Sequence, residues 1–85
     1  MILCATYDKV ANVFSEPFTA VNEAVAIRSI KTAALKNPTV ALNSKDYVLY
    51  KIADYDETNG DIANIKHVQL AELRDLFKEE EIENV

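Results

Sequence analysis

Apolar and polar positions follow three different rhythms along this chain. Residues 2–7 read Ile-Leu-Cys-Ala-Thr-Tyr, uncharged until Asp8, and predict a strand. Asp8-Lys9 and Ala11-Asn12 offer a turn, and residues 13–16 can return as a second strand. Pro17 has no N–H for a ladder, so it ends that strand or marks an edge. A helical rhythm then takes over. Ala24, Ile27, Ile30 and Ala34 recur at helix spacing, with Arg28, Lys31 and Thr32 on the other face and Ser29 and Lys36 flanking it. Asn22 is a good N-cap, Glu23 suits the positive end of the helix dipole, and Asn37-Pro38 is a stop signal. The pattern predicts a helix over 22–36.

Residues 39–46 read as a loop, and residues 47–55, Tyr-Val-Leu-Tyr-Lys-Ile-Ala-Asp-Tyr, as a strong strand. Asn59-Gly60 is the best hairpin signal in the chain, because a two-residue type I′ turn needs positive φ twice. Residues 62–68 can form the partner strand. Leu70, Leu73 and Phe77 then repeat at helical spacing, which predicts a second helix over 69–80 that frays into Glu79-Glu80-Glu81. The predicted order is β-β-α-β-β-α. The fold class is α+β, with a small antiparallel sheet. One domain spans 1–85, and residues 79–85 form an acidic, frayed end.

Size changes the picture next. A chain of 85 residues buries only roughly 60–65% of the surface it exposes when unfolded, so stability on the order of 5 kcal/mol is expected. A subunit interface would add to that, and a homo-oligomer is expected. No apolar run approaches the roughly 18–20 residues that span a bilayer, and no membrane partner is expected. The N-terminus lacks the basic and long apolar regions of a signal peptide. The single cysteine, Cys4, fits a reducing compartment.

Charge is uneven. Residues 28–51 hold Arg28, Lys31, Lys36, Lys45 and Lys51 against Asp46 alone, a local +4 in a chain of net charge -5. Residues 52–85 hold ten carboxylates against Lys66, Arg74 and Lys78, a local -7. The division is either a functional asymmetry or a pair of solvated faces.

Catalytic and metal chemistry find little to stand on. Cys4 and His67 have no neighbours of their own kind at metal-ligand spacing. One glycine cannot build a phosphate-cradling loop. Asp54, Asp56, Glu57 and Asp61 lack the spacing of a calcium-binding EF-hand loop. Cys4 reads as a small buried hydrophobe and His67 as an ordinary imidazole. No enzyme activity, cofactor or metal is expected. In the 47–55 strand, simple alternation puts Tyr47, Leu49, Ala53 and Tyr55 on one face and Val48, Tyr50 and Ile52 on the other. The face that does not pack on helices is a stacking platform for bases, a subunit interface, or core filling in a sheet covered on both sides.

An ordered set of short motifs goes further. Tyr7-Asp8, Pro17-Phe18, Ala26-Ile27-Arg28-Ser29, Asp46-Tyr47-Val48-Leu49-Tyr50, Asp54-Tyr55-Asp56-Glu57 and Gly60 follow one another in this order. Over residues 6–61 the chain resembles the small nonstructural protein of gokushovirus-type microviruses, bacteriophages with circular single-stranded DNA genomes. It departs from that pattern at Ile30, where an aromatic is usual, at Ala53, where Gly is usual, and at Tyr55, where Phe is usual. Residues 70–85 match no motif.

The resemblance implies a non-enzymatic protein of the host bacterial cytoplasm, with a DNA-binding role when genome replication gives way to packaging of single strands. It places Arg28 at the family's basic motif position. The alternative role for Arg28 is an ion pair with Asp54 or Asp56. On the DNA reading, Arg28, Lys31, Lys36 and Lys51 meet phosphates and Tyr47 or Tyr55 stacks on bases, giving weak, sequence-tolerant binding to single-stranded DNA. The competing reading is a protein-interaction factor that binds phage replication or capsid proteins with little DNA contact. The net charge of -5 favours the competing reading, and the basic middle segment favours the first.

Overall fold

Two long antiparallel strands carry the domain, in a computed structural model that describes residues 1–77. They are β1 (Ile2–Asp8) and β4 (Tyr47–Tyr55), paired side by side at the centre of a six-stranded sheet. Each has two short strands on its outer edge. β1 pairs with β2 (Val13–Phe14) at one end and β3 (Phe18–Ala20) at the other. β4 pairs with β5 (Ile62–Ala63) at one end and β6 (Val68–Glu72) at the other. Between β3 and β4 run α1 (Glu23–Leu35), α2 (Pro38–Leu42) and a 3-10 turn, Ser44–Asp46. A second 3-10 turn, Leu73–Leu76, follows β6. The class is α+β with a small antiparallel sheet, as the sequence predicts.

The first helix forms where its signals place it. The Asn22 side-chain oxygen accepts the Val25 N–H at 2.9 Å, satisfying one of the donors a helix start leaves open. Asn22→Ala is expected to cost about 1 kcal/mol in urea unfolding. At Asn37 the corresponding bond is 3.4 Å, so Asn37→Ala should cost less.

The stop signal Asn37-Pro38 does more than end a helix. Pro38 occupies the first turn of α2, where its missing N–H is harmless, and Asn37 caps it. The predicted loop over 39–46 is therefore a short helix followed by a 3-10 turn.

The 59–60 hairpin turns where predicted, by a different geometry. Of the two turn residues Gly60 has positive φ (+80°) and Asn59 is not in the left-handed region. The Gly60 N–H donates to the Asp56 carbonyl at 2.7 Å, closing a longer loop than a two-residue type I′ turn. The partner strand is correspondingly short, two residues rather than the predicted 62–68.

Over the described residues 69–77, the second helix is corrected. Residues 68–72 form an edge strand on β4, and only residues 73–76 coil, as a 3-10 turn. Leu70, Leu76 and Phe77 still pack on the buried cluster that includes Leu73, so their spacing did mark an apolar side. It did not mark an α-helix, because the outer edge of β4 offers this segment a ladder for its backbone groups. Residues 79–85, the acidic end, lie outside the described residues.

The alternation along β4 also breaks. Leu3 faces Ala53 and Cys4 faces Lys51, so Ile52 is an extra residue, a β-bulge. Residues directly opposite on paired strands share a face. Tyr47, Leu49, Lys51 and Asp54 therefore share one face with Ile2, Cys4, Thr6 and Asp8. Val48, Tyr50 and Ala53 share the other with Leu3, Ala5 and Tyr7. Simple alternation put Ala53 and Tyr55 with Tyr47 and Leu49; the bulge moves both to the opposite face.

The core lies between the first face and α1. Cys4, Ala20 and Leu49 of the sheet meet Ala26 and Ala34 of α1 and Leu73 of the 3-10 turn, all buried. Alanines on α1 let the helix approach the sheet closely. Burial pushes the Cys4 thiol above its ordinary pKa, keeping it protonated.

Candidate nucleic-acid interface

Helical spacing brings the basic residues of α1 together. Arg28 and Thr32 are one turn apart and exposed, and the Thr32 hydroxyl donates to the Arg28 carbonyl at 3.0 Å. Lys31 is half-buried beside them, and Lys36, the C-cap, is exposed one turn further on. Among the described residues Arg28 makes no ion pair. Asp54, one of its two candidate partners, instead takes the Lys51 ammonium at 3.0 Å and the Asn64 side-chain amide at 2.8 Å.

The other three predicted contact residues lie elsewhere. Lys51 is on the helix-side face of the sheet, held by Asp54 three residues on. Tyr47 is on that same face and packs against the core, lining a small cleft of about 130 Å³ with Thr6, Ile30 and Leu73. Burial and the carboxylates of Asp8 and Asp46 hold its phenol above the ordinary tyrosine pKa. Tyr55 falls on the opposite face by register and lines a shallow cleft at the strand end, where the carboxylates of Asp54, Asp56 and Glu57 outnumber the Met1 ammonium that donates to the Tyr55 carbonyl at 3.0 Å. The six residues do not converge on one surface. Three share the α1 region, and Lys51, Tyr47 and Tyr55 are divided between the two sides of the sheet.

Asp54 carries a pH signature. The amide of Asn64 and the ammonium of Lys51 hold its carboxyl below the usual carboxylate range. The unfolded chain binds that proton more readily, so the contribution to stability is present above about pH 4 and fades as pH falls through the lowered value. Asp54→Asn is expected to lower the melting temperature near neutrality and to leave it nearly unchanged in acid, which flattens its dependence on pH on the acid side.

The sheet face turned away from α1 carries the residues that sequence reasoning passed over. Phe14 lies at its centre. Its ring centroid is 4.8 Å from Tyr7, 5.9 Å from Tyr50 and 5.3 Å from His67, and Tyr50 is 6.2 Å from His67. The rings are tilted 51–61° to one another, the arrangement aromatic quadrupoles favour. Ala5 and Val48 share this face and are buried, yet Phe14 keeps 42% of its surface exposed and His67 is exposed. Four residues from four separate segments come together here. The period-2 pattern of β1 and β4 could have put Tyr7 and Tyr50 on one face. Nothing local announced Phe14 or His67.

The turn that delivers Phe14 is well held. The Asp8 carboxylate accepts the N–H groups of Val10 and Ala11 at 2.9 and 3.1 Å, and Asn12 takes a positive φ of 61°. The Tyr7 hydroxyl donates to the Asn12 side-chain oxygen at 3.2 Å. The Ser15 N–H donates to the Thr6 carbonyl at 2.7 Å. The His67 segment is tied to β4 by the Lys66 N–H, which donates to the Ile52 carbonyl at 3.0 Å.

Among the described residues no group of three or more His, Cys, Asp or Glu side chains is placed to hold a metal ion, and no helix is long and apolar enough to cross a membrane. The sequence model of a family described as Phage ORF5 protein matches residues 1–76. No curated protein and no solved structure matches the chain.

Proposed function

The chain belongs to the Phage ORF5 protein family and is a bacteriophage protein; from that premise we propose that it is a non-enzymatic nonstructural protein, of the gokushovirus type, that binds single-stranded DNA. It acts in the host cytoplasm and assists the change from genome replication to packaging of single strands. The observation that carries this reading is the exposed face of α1. Arg28 projects there with no ion pair among the described residues, in one stretch with Lys31 and Lys36. Side chains of this kind neutralise phosphates and release counter-ions, which supplies most of the sequence-tolerant affinity for nucleic acid. A homo-oligomer belongs to the same reading, since a second copy lengthens the track available to a strand. Sedimentation showing only monomer at high concentration would remove that element.

A salt titration tests the DNA contact. With about three phosphates neutralised by the cations of the α1 region, log K on single strands should fall with log salt at a slope of about -2. Arg28→Ala with Lys31→Ala should weaken binding and make the slope shallower. Deleting 79–85 should tighten binding at low salt by removing Glu79, Glu80, Glu81 and Glu83.

The net charge of -5 supports a second reading, a factor that binds phage replication or capsid proteins with little DNA contact. Salt-independent binding, or none at low salt with the acidic end removed, would favour it.

A further inference from the structure

We infer that the sheet face opposite α1 is a base-stacking site for single-stranded nucleic acid, with Phe14 and His67 as its exposed rings and Tyr7 and Tyr50 as their support. The inference rests on the DNA-binding reading and assigns the bases to a different surface from the phosphates met by α1. A sheet offers stacking rings to unpaired bases readily, because side chains on one face all point the same way and the backbone holds them rigidly. Here the rings are already in mutual contact, at 4.8–6.2 Å between centroids, so little order remains to be imposed on binding. Hydrogen bonds at the Asp8–Asn12 turn and at Lys66 fix the two segments that carry Phe14 and His67.

Charge at this patch suits a polyanion better than the chain's net charge suggests. Lys9 and Lys66, both exposed, follow Asp8 at the end of β1 and precede His67. Glu72, which lies on this face opposite Val48, has its carboxylate between Lys9 at 3.8 Å and Arg74 at 3.1 Å. Arg74 also meets the Asp75 carboxylate at 3.8 Å, so Lys9 and Arg74 offset Glu72 and Asp75, and Lys66 beside His67 is the further cation. The rings also have polar edges, with tyrosine hydroxyls, imidazole nitrogens and the nearby Gln69 opposite Tyr50. A nucleobase, with a π face and hydrogen-bonding edges, matches such a surface. A flat apolar partner matches it less well, because rings tilted by more than 50° present no plane.

Full-length protein is titrated with a fifteen-residue oligothymidylate, with an abasic strand of equal length and charge, and with a duplex, following tyrosine fluorescence. The expected result is quenching and tighter binding for the oligothymidylate, by about tenfold over the abasic strand, with the duplex close to the abasic value. Phe14→Leu and His67→Ala should each weaken oligothymidylate binding at least fivefold and leave abasic binding unchanged. Phe14→Tyr, which keeps a π face, should retain the affinity. The comparison of strands needs no variant, so it stands even if Phe14→Leu fails to fold.

Equal affinity for the oligothymidylate and the abasic strand, both weakened by Arg28→Ala, would overturn the stacking site and leave the DNA reading intact. No binding to any strand at low salt would overturn both. Loss of self-association in Phe14→Leu with DNA affinity unchanged would assign the face to a second copy of the chain and overturn the inference.

Discussion

Leu49→Ala is expected to lower the free energy of unfolding by about 2–5 kcal/mol, a large share of a stability on the order of 5 kcal/mol. Leu49 is 0% exposed and sits in the middle of β4 between Thr6 of β1 and Ala71 of β6. Truncation removes buried methyl groups and leaves a cavity in the cluster that Leu49 shares with Cys4, Ala26 and Leu73. Urea unfolding reads the cost directly. Leu42→Ala is the control, because Leu42 is 62% exposed at the end of α2 and should change stability by less than about 0.5 kcal/mol. Equal effects at the two positions would contradict the placement of the core.

Leu73→Ala should cost a similar amount, about 2–5 kcal/mol, and it probes the segment where the helical pattern misled. Leu73 is 0% exposed at the start of the second 3-10 turn, directly after the edge strand β6. Losing its anchor should free β6 from β4 before the centre of the sheet opens. Hydrogen exchange would then show faster exchange at 68–72 than at β1, a difference absent from a purely global effect. Uniform exchange across the sheet would argue against β6 as a separately anchored edge.

The two predictions sit on different kinds of residue. Leu49 belongs to a strand that its own composition announces. Val48, Leu49, Tyr50 and Ile52 are β-branched, aromatic or apolar, and the strand runs over the residues predicted. Leu73 belongs to a segment whose spacing fits a helix and whose conformation is set by a neighbour. The spacing of Leu70, Leu73 and Phe77 records that one side must be buried, and burial can be met by an edge strand and a 3-10 turn as well as by an α-helix. Local periodicity cannot see that β4 has an open edge.

The candidate interface divides along the same line. Arg28 and Lys31 were legible as neighbours because one helix holds them three residues apart, and Lys36 follows as its C-cap. Tyr47 and Tyr55 were placed on one face by counting residues, and the bulge at Ile52 puts them on opposite sides. A bulge has no dependable sequence mark, since it depends on what the partner strand can pair. Phe14 and His67 were invisible as a pair because 53 positions separate them in the chain.

By itself, then, the sequence determined the α+β class, α1 with its cap and the central strand β4, because their signals lie within a few residues of one another. Only the tertiary structure decided that residues 68–72 are a strand, which face each tyrosine takes, and that Tyr7, Phe14, Tyr50 and His67 meet. Those outcomes depend on pairing between distant strands. There the free energy of satisfying backbone groups and burying apolar surface across the sheet outweighs the few tenths of a kcal/mol by which ordinary residues differ in local preference.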